Sequence, residues 1–270
     1  MAAIPSRKGP WHNAGALLSW AAVACAAIAQ LAGDVAAVWT GLVLFALGLS
    51  HGAGDEQDGS LRSFGLVHAA AYLVVGAAVA GLFLVAPLAG LVIFFALSAW
   101  HFSRSECHFD QLVRFAIAGL AIGGSALFRP AETAEVLGFV VGETVPRNVL
   151  RLLAVAGLAG AACALFAFIR GKRGFGHGIV AALATLLLHP VLAVGLVFLI
   201  AHAVPVQERQ VATYGAKRVL RAVALPTLIA TTGAAALALA VWLGAIPVPI
   251  GLALAFGMAT PHMLTERLER

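Results

Sequence analysis

The chain has 270 residues, of which 61% are hydrophobic and only 11% charged, and its mean hydropathy is +0.97. A soluble domain keeps roughly a quarter of its residues charged, so a water-soluble globule is excluded. The fold class expected is all-α: a polytopic helical membrane protein forming one integral membrane domain over residues 1–270. The net charge of +5 sits in short basic clusters between apolar runs, where it reports topology and does not point to nucleic acid.

Taken in chain order, Arg7 and Lys8 precede a first apolar run, Gly15 to Ala32. It is too long for the apolar region of a signal peptide and reads as the first membrane helix. Further runs cover Val35 to Ser50, Phe64 to Val85, Leu88 to His101, Val113 to Phe128 and Val149 to Ile169. The last three cover Ile179 to His202, Val219 to Leu243 and Ile250 to Met263, for about 8–10 membrane segments in all. Gly119 and Gly123 form a GxxxG, a helix-packing signal. Cys25, Cys107 and Cys163 contain no CxxC pair, so neither a disulfide framework nor a zinc site is indicated.

The run from Ile179 to His202 contains His189-Pro190. Proline removes a backbone donor, so the segment reads either as one kinked span or as a broken pair of half-helices. Basic residues arbitrate. Arg7 and Lys8; Arg170, Lys172 and Arg173; Arg209, Lys217, Arg218 and Arg221; and Arg267 and Arg270 all fall on one side only if the segment is broken. The positive-inside rule favours that arrangement, with both termini on the cytoplasmic side of the cell (inner) membrane. Pro205 is expected to stop any helix that continues past His202.

On this topology four histidines meet the same face of the membrane. His51, His101, His202 and His262 each end an apolar run, and His68 lies a turn into the third. His12, His108 and His177 lie in flanks or loops, and His189 marks the break. Any one histidine at a helix end is ordinarily an interfacial hydrogen-bonding residue. Four on one side, from runs far apart in sequence, point to a shared site, because ionisable groups at membrane depth are costly and functional. Neutral imidazoles in a water-poor cavity suit Fe, Cu or Zn. Asp55 is four residues after His51 and Glu106 five after His101. Carboxylates so placed can receive the second ring N–H of a ligating histidine and fix its tautomer.

The segments "SHGAGDEQ", "SAWHFSRSE", the Pro190 run ending "FLIAH", and "ATPHML" follow one another in that order. They resemble the Brp/Blh family of membrane β-carotene 15,15′-dioxygenases, which carries PHGALD-like, HFG-like, P…F…H-x-x-x-H and PHM-like segments over a similar length. The resemblance implies Fe(2+) held by histidines and O2-dependent cleavage of the central double bond of β-carotene to two retinals. It also implies a lipid-soluble carotenoid substrate, a membrane-lipid setting and a retinal-binding acceptor as a possible partner. Carried over by position, His51, His101 and His202 match the ligands, and Asp55 matches the acid of the first segment.

The second histidine of H-x-x-x-H is not matched, because Val206 stands there. His262, His189 or Glu208 are the candidates to replace it, His262 first. Phe94, Phe95, Trp100 and Phe198 are candidates to line a polyene tunnel. The competing readings are a haem- or metal-binding membrane protein, a transporter, and a diverged family member without dioxygenase activity. A retinal photoreceptor is disfavoured, since Lys8, Lys172 and Lys217 all lie in loops or at helix edges. No HxxHH box of a membrane desaturase is present.

Overall fold

A computed structural model describes residues 10–52, 55–57, 60–62, 66–105, 109–261 and 263. The helices are α1 (Pro10–Ala32), α2 (Asp34–Gly48), α3 (Leu66–Val85), α4 (Pro87–Ser105), α5 (Gln111–Phe128) and α6 (Pro130–Val141). They continue with α7 (Arg147–Ile169), α8 (Phe175–Leu187), α9 (Pro190–Phe198), α10 (Val204–Tyr214), α11 (Ala216–Trp242) and α12 (Val248–Ala259). A single 3₁₀ turn, Leu49–Gly52, closes α2, and a two-stranded antiparallel hairpin, β1 (Asp55–Gln57) and β2 (Ser60–Arg62), follows it.

Seven helices among the described residues are long and apolar enough to cross a membrane, and three shorter apolar ones, in α3, α8 and α12, accompany them. The fold is a polytopic helical membrane bundle. Its outer surface is greasy: Leu17, Trp20 and Leu31 of α1 and Leu220, Leu228 and Trp242 of α11 are all exposed. Its interior is built largely from small residues, among them Ala26, Ala37, Ala116, Ala167, Ala181 and Ala201. That inversion follows from the solvent. Lipid offers no hydrophobic drive between helices, so close van der Waals approach of small residues holds them together.

The pairing of α5 with α7 shows this directly. Gly119 and Gly123 of α5 lie against Gly157 and Gly160 of α7, and a Cβ on Gly119 would come within 2.7 Å of the Ala156 carbonyl oxygen. The GxxxG read in the sequence is this contact. At the head of α5, Asp110 is the N-cap: it accepts from the Leu112 N–H at 3.0 Å and pairs with Lys172 at 3.2 Å. The Leu112 hydrogen bond, with help from Lys172, holds its carboxyl below the usual range.

Three expectations are corrected here. The first concerns the broken segment. The chain does break at Leu188 and His189, both extended, before Pro190 restarts the helix. However, only α8 is a half-helix. The second part runs from Pro190 to Tyr214 as one 25-residue span, the most buried of the seven. Pro205 does not end it. A π turn over Leu199–Ala203 intervenes, in which the Val204 N–H donates to the Leu199 carbonyl. Adding one residue to that turn lets the helix pass a proline that has no N–H to give. His202 therefore lies inside a continuous helix, not at its end.

The second correction follows from the first: Arg209 stands within α10, and Lys217 and Arg218 within α11, where a loop was expected. The third is α6, which the hydropathy pattern missed. Arg129 bridges Glu132 at 2.6 Å and also donates to the Leu187 carbonyl at 2.9 Å, pinning the start of α6 to the end of α8.

Candidate metal centre

Three elements bring three histidines to one point. His51 is carried by the 3₁₀ turn after α2, His101 by the last part of α4, and His202 by the π turn between α9 and α10. A π turn widens the helix locally and re-aims a side chain, and such turns concentrate at functional sites. α2 and α9 approach closely, with Gly41 of one against Gly195 of the other, so the ends of both helices share a position in the bundle. All three imidazoles are buried, at 6%, 1% and 1% exposure.

His202 Nε2 lies 3.0 Å from His51 Nε2 and 3.1 Å from His101 Nε2. The three ligand nitrogens lie within 4.8 Å of one another, and among the described residues theirs is the only such group of histidine, cysteine or acidic side chains. His51 Nδ1 donates to the Gly48 carbonyl at 2.5 Å. A carbonyl only accepts, so the proton is on Nδ1 and Nε2 presents a lone pair to the centre.

The geometry suits a first-row metal ion. Imidazole nitrogens at about 2.1 Å from an ion, at right angles, stand about 3.0 Å apart, which matches both contacts. Protons alone serve the arrangement poorly. One ring N–H cannot aim at two nitrogens at once, so at most one of the two contacts is a good hydrogen bond. A cation among three lone pairs satisfies both.

A family model described as Beta-carotene 15,15'-dioxygenase matches residues 42–268. The chain belongs to this family. The match covers all three histidines and nearly the whole chain. Comparison with curated proteins and with solved structures returned no match. Membership places the chain among carotenoid-dioxygenase-type enzymes, and the three buried histidines form a cluster that could hold a metal ion. A bis-histidine haem does not fit. It needs its two imidazoles on opposite faces of a macrocycle, and His202 Nε2, 3.0 and 3.1 Å from the other two nitrogens, stands in the space a ring would take.

The other residues singled out in the sequence fall into three groups. His189 is not at the centre. It caps α9, its Nδ1 accepting from Val191 N–H at 3.3 Å, while its own N–H donates to Gln30 Oε1 of α1 at 2.6 Å. Glu208 is elsewhere too: its carboxylate presses on the backbone of Gly15 in α1. His177 packs at a tilt against Phe109, ring centroids 4.7 Å apart, and is not in the group of three histidines. Neither His189 nor Glu208 joins the group of three histidines.

Of the proposed tunnel residues, only Phe198 touches the centre, edge-on to His51 with ring centroids 5.1 Å apart. Phe94 and Phe95 precede His101 by seven and six residues, roughly 9–10 Å along α4. Phe94 packs there on Phe256 at 4.7 Å and on Phe95 at 6.0 Å. Trp100 is exposed on the outer surface, with the Arg104 guanidinium 6.0 Å from its ring. The third group lies outside the described residues: the side chains of His12, His68 and Asp55, and all of Glu106, His108 and His262.

Three contributors were not read from the sequence. The Gly48 carbonyl accepts from His51, and a backbone acceptor leaves no trace in residue type. Phe102 stands edge-on to His202 at 4.9 Å, and its place beside His101 was the available signal. Gln207 donates to Ser50, next to His51, and is legible only once α10 is known to be a helix.

Proposed function

We propose that the protein cleaves the 15,15′ double bond of β-carotene with O2, giving two molecules of retinal, and that His51, His101 and His202 hold Fe(2+) for the reaction. The observation that carries the reading is the convergence of three buried imidazoles, His202 Nε2 lying 3.0 and 3.1 Å from the other two ring nitrogens, in a chain of the β-carotene dioxygenase family. The balance is closed: one carbon–carbon double bond breaks, and each of its carbons takes one oxygen atom of O2. Iron, when bound, supplies the one-electron chemistry that allows O2 to react with a closed-shell alkene.

The protein's own contribution is threefold. The histidines offer neutral donors and leave the ion's remaining positions open. The Gly48 carbonyl keeps the proton of His51 on the nitrogen that does not face the ion. The apolar shell of Phe45, Phe102 and Phe198 keeps bulk water away and accepts a hydrocarbon. Asp55 and Glu106 are assigned to the surroundings of the ligands, and His262 to the same neighbourhood. The substrate arrives from the lipid in which it is dissolved. The site faces the cytoplasmic side of the cell membrane, from which retinal passes to a retinal-binding acceptor.

The test is expression in a bacterium that makes β-carotene. Retinal should appear and carotene fall, in proportion to protein-bound iron. Unchanged carotene in a well-expressed sample rules the reading out.

One observation favours a second reading, that of a family member whose activity has decayed. Val206, at the position of the second histidine of the family's H-x-x-x-H segment, is buried at 5% exposure on the helix that carries His202. Val206→His separates the two. If three histidines suffice, retinal formation in the variant stays at or below that of the parent. If the site has decayed, the parent is inactive and the variant gains both iron and activity.

A further inference from the structure

We infer that Gly48 and Phe198 act as a positioning pair that fixes the distance between His51 and His202, and with it the affinity of the centre for its metal. The inference rests on the reading of the three histidines as a metal site and names the device that keeps two of them in register.

Gly48 has two jobs in one residue. Its carbonyl accepts the Nδ1 proton of His51. Its α-carbon lies under the ring of Phe198, so closely that a Cβ would overlap Cε1 and Cδ1 of that ring and come 3.3 Å from the Ala203 Cβ. Phe198 and Ala203 flank His202 on its own helix, four residues before it and one after. The turn that carries His51 is thus laid directly on the helix that carries His202, and the only spacer between them is a hydrogen atom.

The ring of Phe198 has no room to swing away. It is 4% exposed and stacks on Phe45 at 4.5 Å with an interplanar angle of 26°. It meets His51 edge-on at 5.1 Å and Phe102 at 6.4 Å. Phe45 belongs to α2, three residues before Gly48, so the ring is held on two sides by the helix that presents His51. A methyl group at position 48 must therefore push α2 away from α9. The movement separates His51 Nε2 from His202 Nε2, now 3.0 Å apart. It also loosens the carbonyl that holds the His51 ring. Both changes lower metal affinity without touching a ligand.

The experiment titrates the detergent-solubilised, metal-stripped full chain with cobalt(II) chloride, following the visible spectrum of bound cobalt, and repeats the titration with ferrous iron. The parent should bind one equivalent of either ion. Gly48→Ala should bind about 10–100-fold more weakly, the range for a change beside a ligand, and with a shifted cobalt spectrum. Making room should restore it: Gly48→Ala with Phe198→Leu should recover most of the lost affinity, which a general packing defect would not do. Should Gly48→Ala fail to fold, Phe198→Leu alone tests the same pair. It keeps the apolar volume but removes the flat ring, and should shift the cobalt spectrum and weaken binding ~10-fold in a monodisperse protein.

Parental affinity and spectrum in Gly48→Ala or, where that fails to fold, in Phe198→Leu overturn the inference. So does a double variant as weak as Gly48→Ala alone. A parent that binds no metal overturns the metal reading itself, which separates the two failures.

Discussion

Replacing His202 with alanine is expected to strip the iron and abolish retinal formation while leaving the fold intact. Among the three histidines it is the most damaging position, because His202 Nε2 stands 3.0 Å from one partner and 3.1 Å from the other. His101→Ala leaves the His51–His202 pair still able to share an ion, and His51→Ala leaves the His101–His202 pair. His202→Ala leaves two nitrogens with no common neighbour. Loss of affinity should exceed the ~10–100-fold seen when only a ligand's hydrogen-bond partner is removed, and activity should follow the iron. Iron per protein by elemental analysis and retinal by chromatography read the outcome. A parental iron content in purified His202→Ala would remove the histidine cluster from consideration as the metal site. The fold should survive because the cluster is not what holds the bundle. α9 is fixed to α2 through Gly41 and Gly195, and its N-terminal end is capped by His189 and Gln30.

The convergence of His51, His101 and His202 was legible in the sequence because polar residues are rare enough in such a chain to be informative. Burying an imidazole among 61% hydrophobic residues needs a reason, and histidines that close separate apolar runs can share one. The route by which they meet was less legible. Pro205 read as the end of a helix because its cost to an α-helix is a property of the residue. Its tolerance in a π turn is a property of the whole segment, Leu199–Ala203, and of the buried packing around it. α10 was missed for a related reason. Gln207, Glu208, Arg209 and Gln210 carry no apolar pattern, and their helix is set by what precedes it. α6 went unread because 12 residues bearing Glu132 and Glu135 fall below the length and hydropathy of a span. Phe94, Phe95 and Trp100 were read as walls of a polyene tunnel. Helical geometry turns Trp100 outward and puts the two phenylalanines about two turns away.

Gly157→Leu is expected to do the opposite of His202→Ala: it should destroy the assembly first and the site only as a consequence. Position 157 of α7 lies on the backbone of α5. A Cβ there would overlap the Gly123 carbonyl and come 2.9 Å from the Gly124 backbone nitrogen. The obstacle is main chain, which cannot step aside as a side chain can. Ordinary overpacking of a core costs ~1–3 kcal/mol; a branched side chain wedged between two helix backbones should cost more, and even Gly157→Ala should be clearly destabilising. α5 also packs on α4, which carries His101, and on α8 and α9. Displacing it therefore reaches the metal centre through α4 and α9. The measurement is size-exclusion behaviour and thermal melting in detergent beside iron content. Gly157→Leu should aggregate or melt at much lower temperature and hold little iron, whereas His202→Ala should elute and melt close to the iron-free parent. A Gly157→Leu protein that is monodisperse, melts like the parent and binds iron would mean that α5 and α7 are not in backbone contact, and that the small-residue interior is not what holds this bundle together.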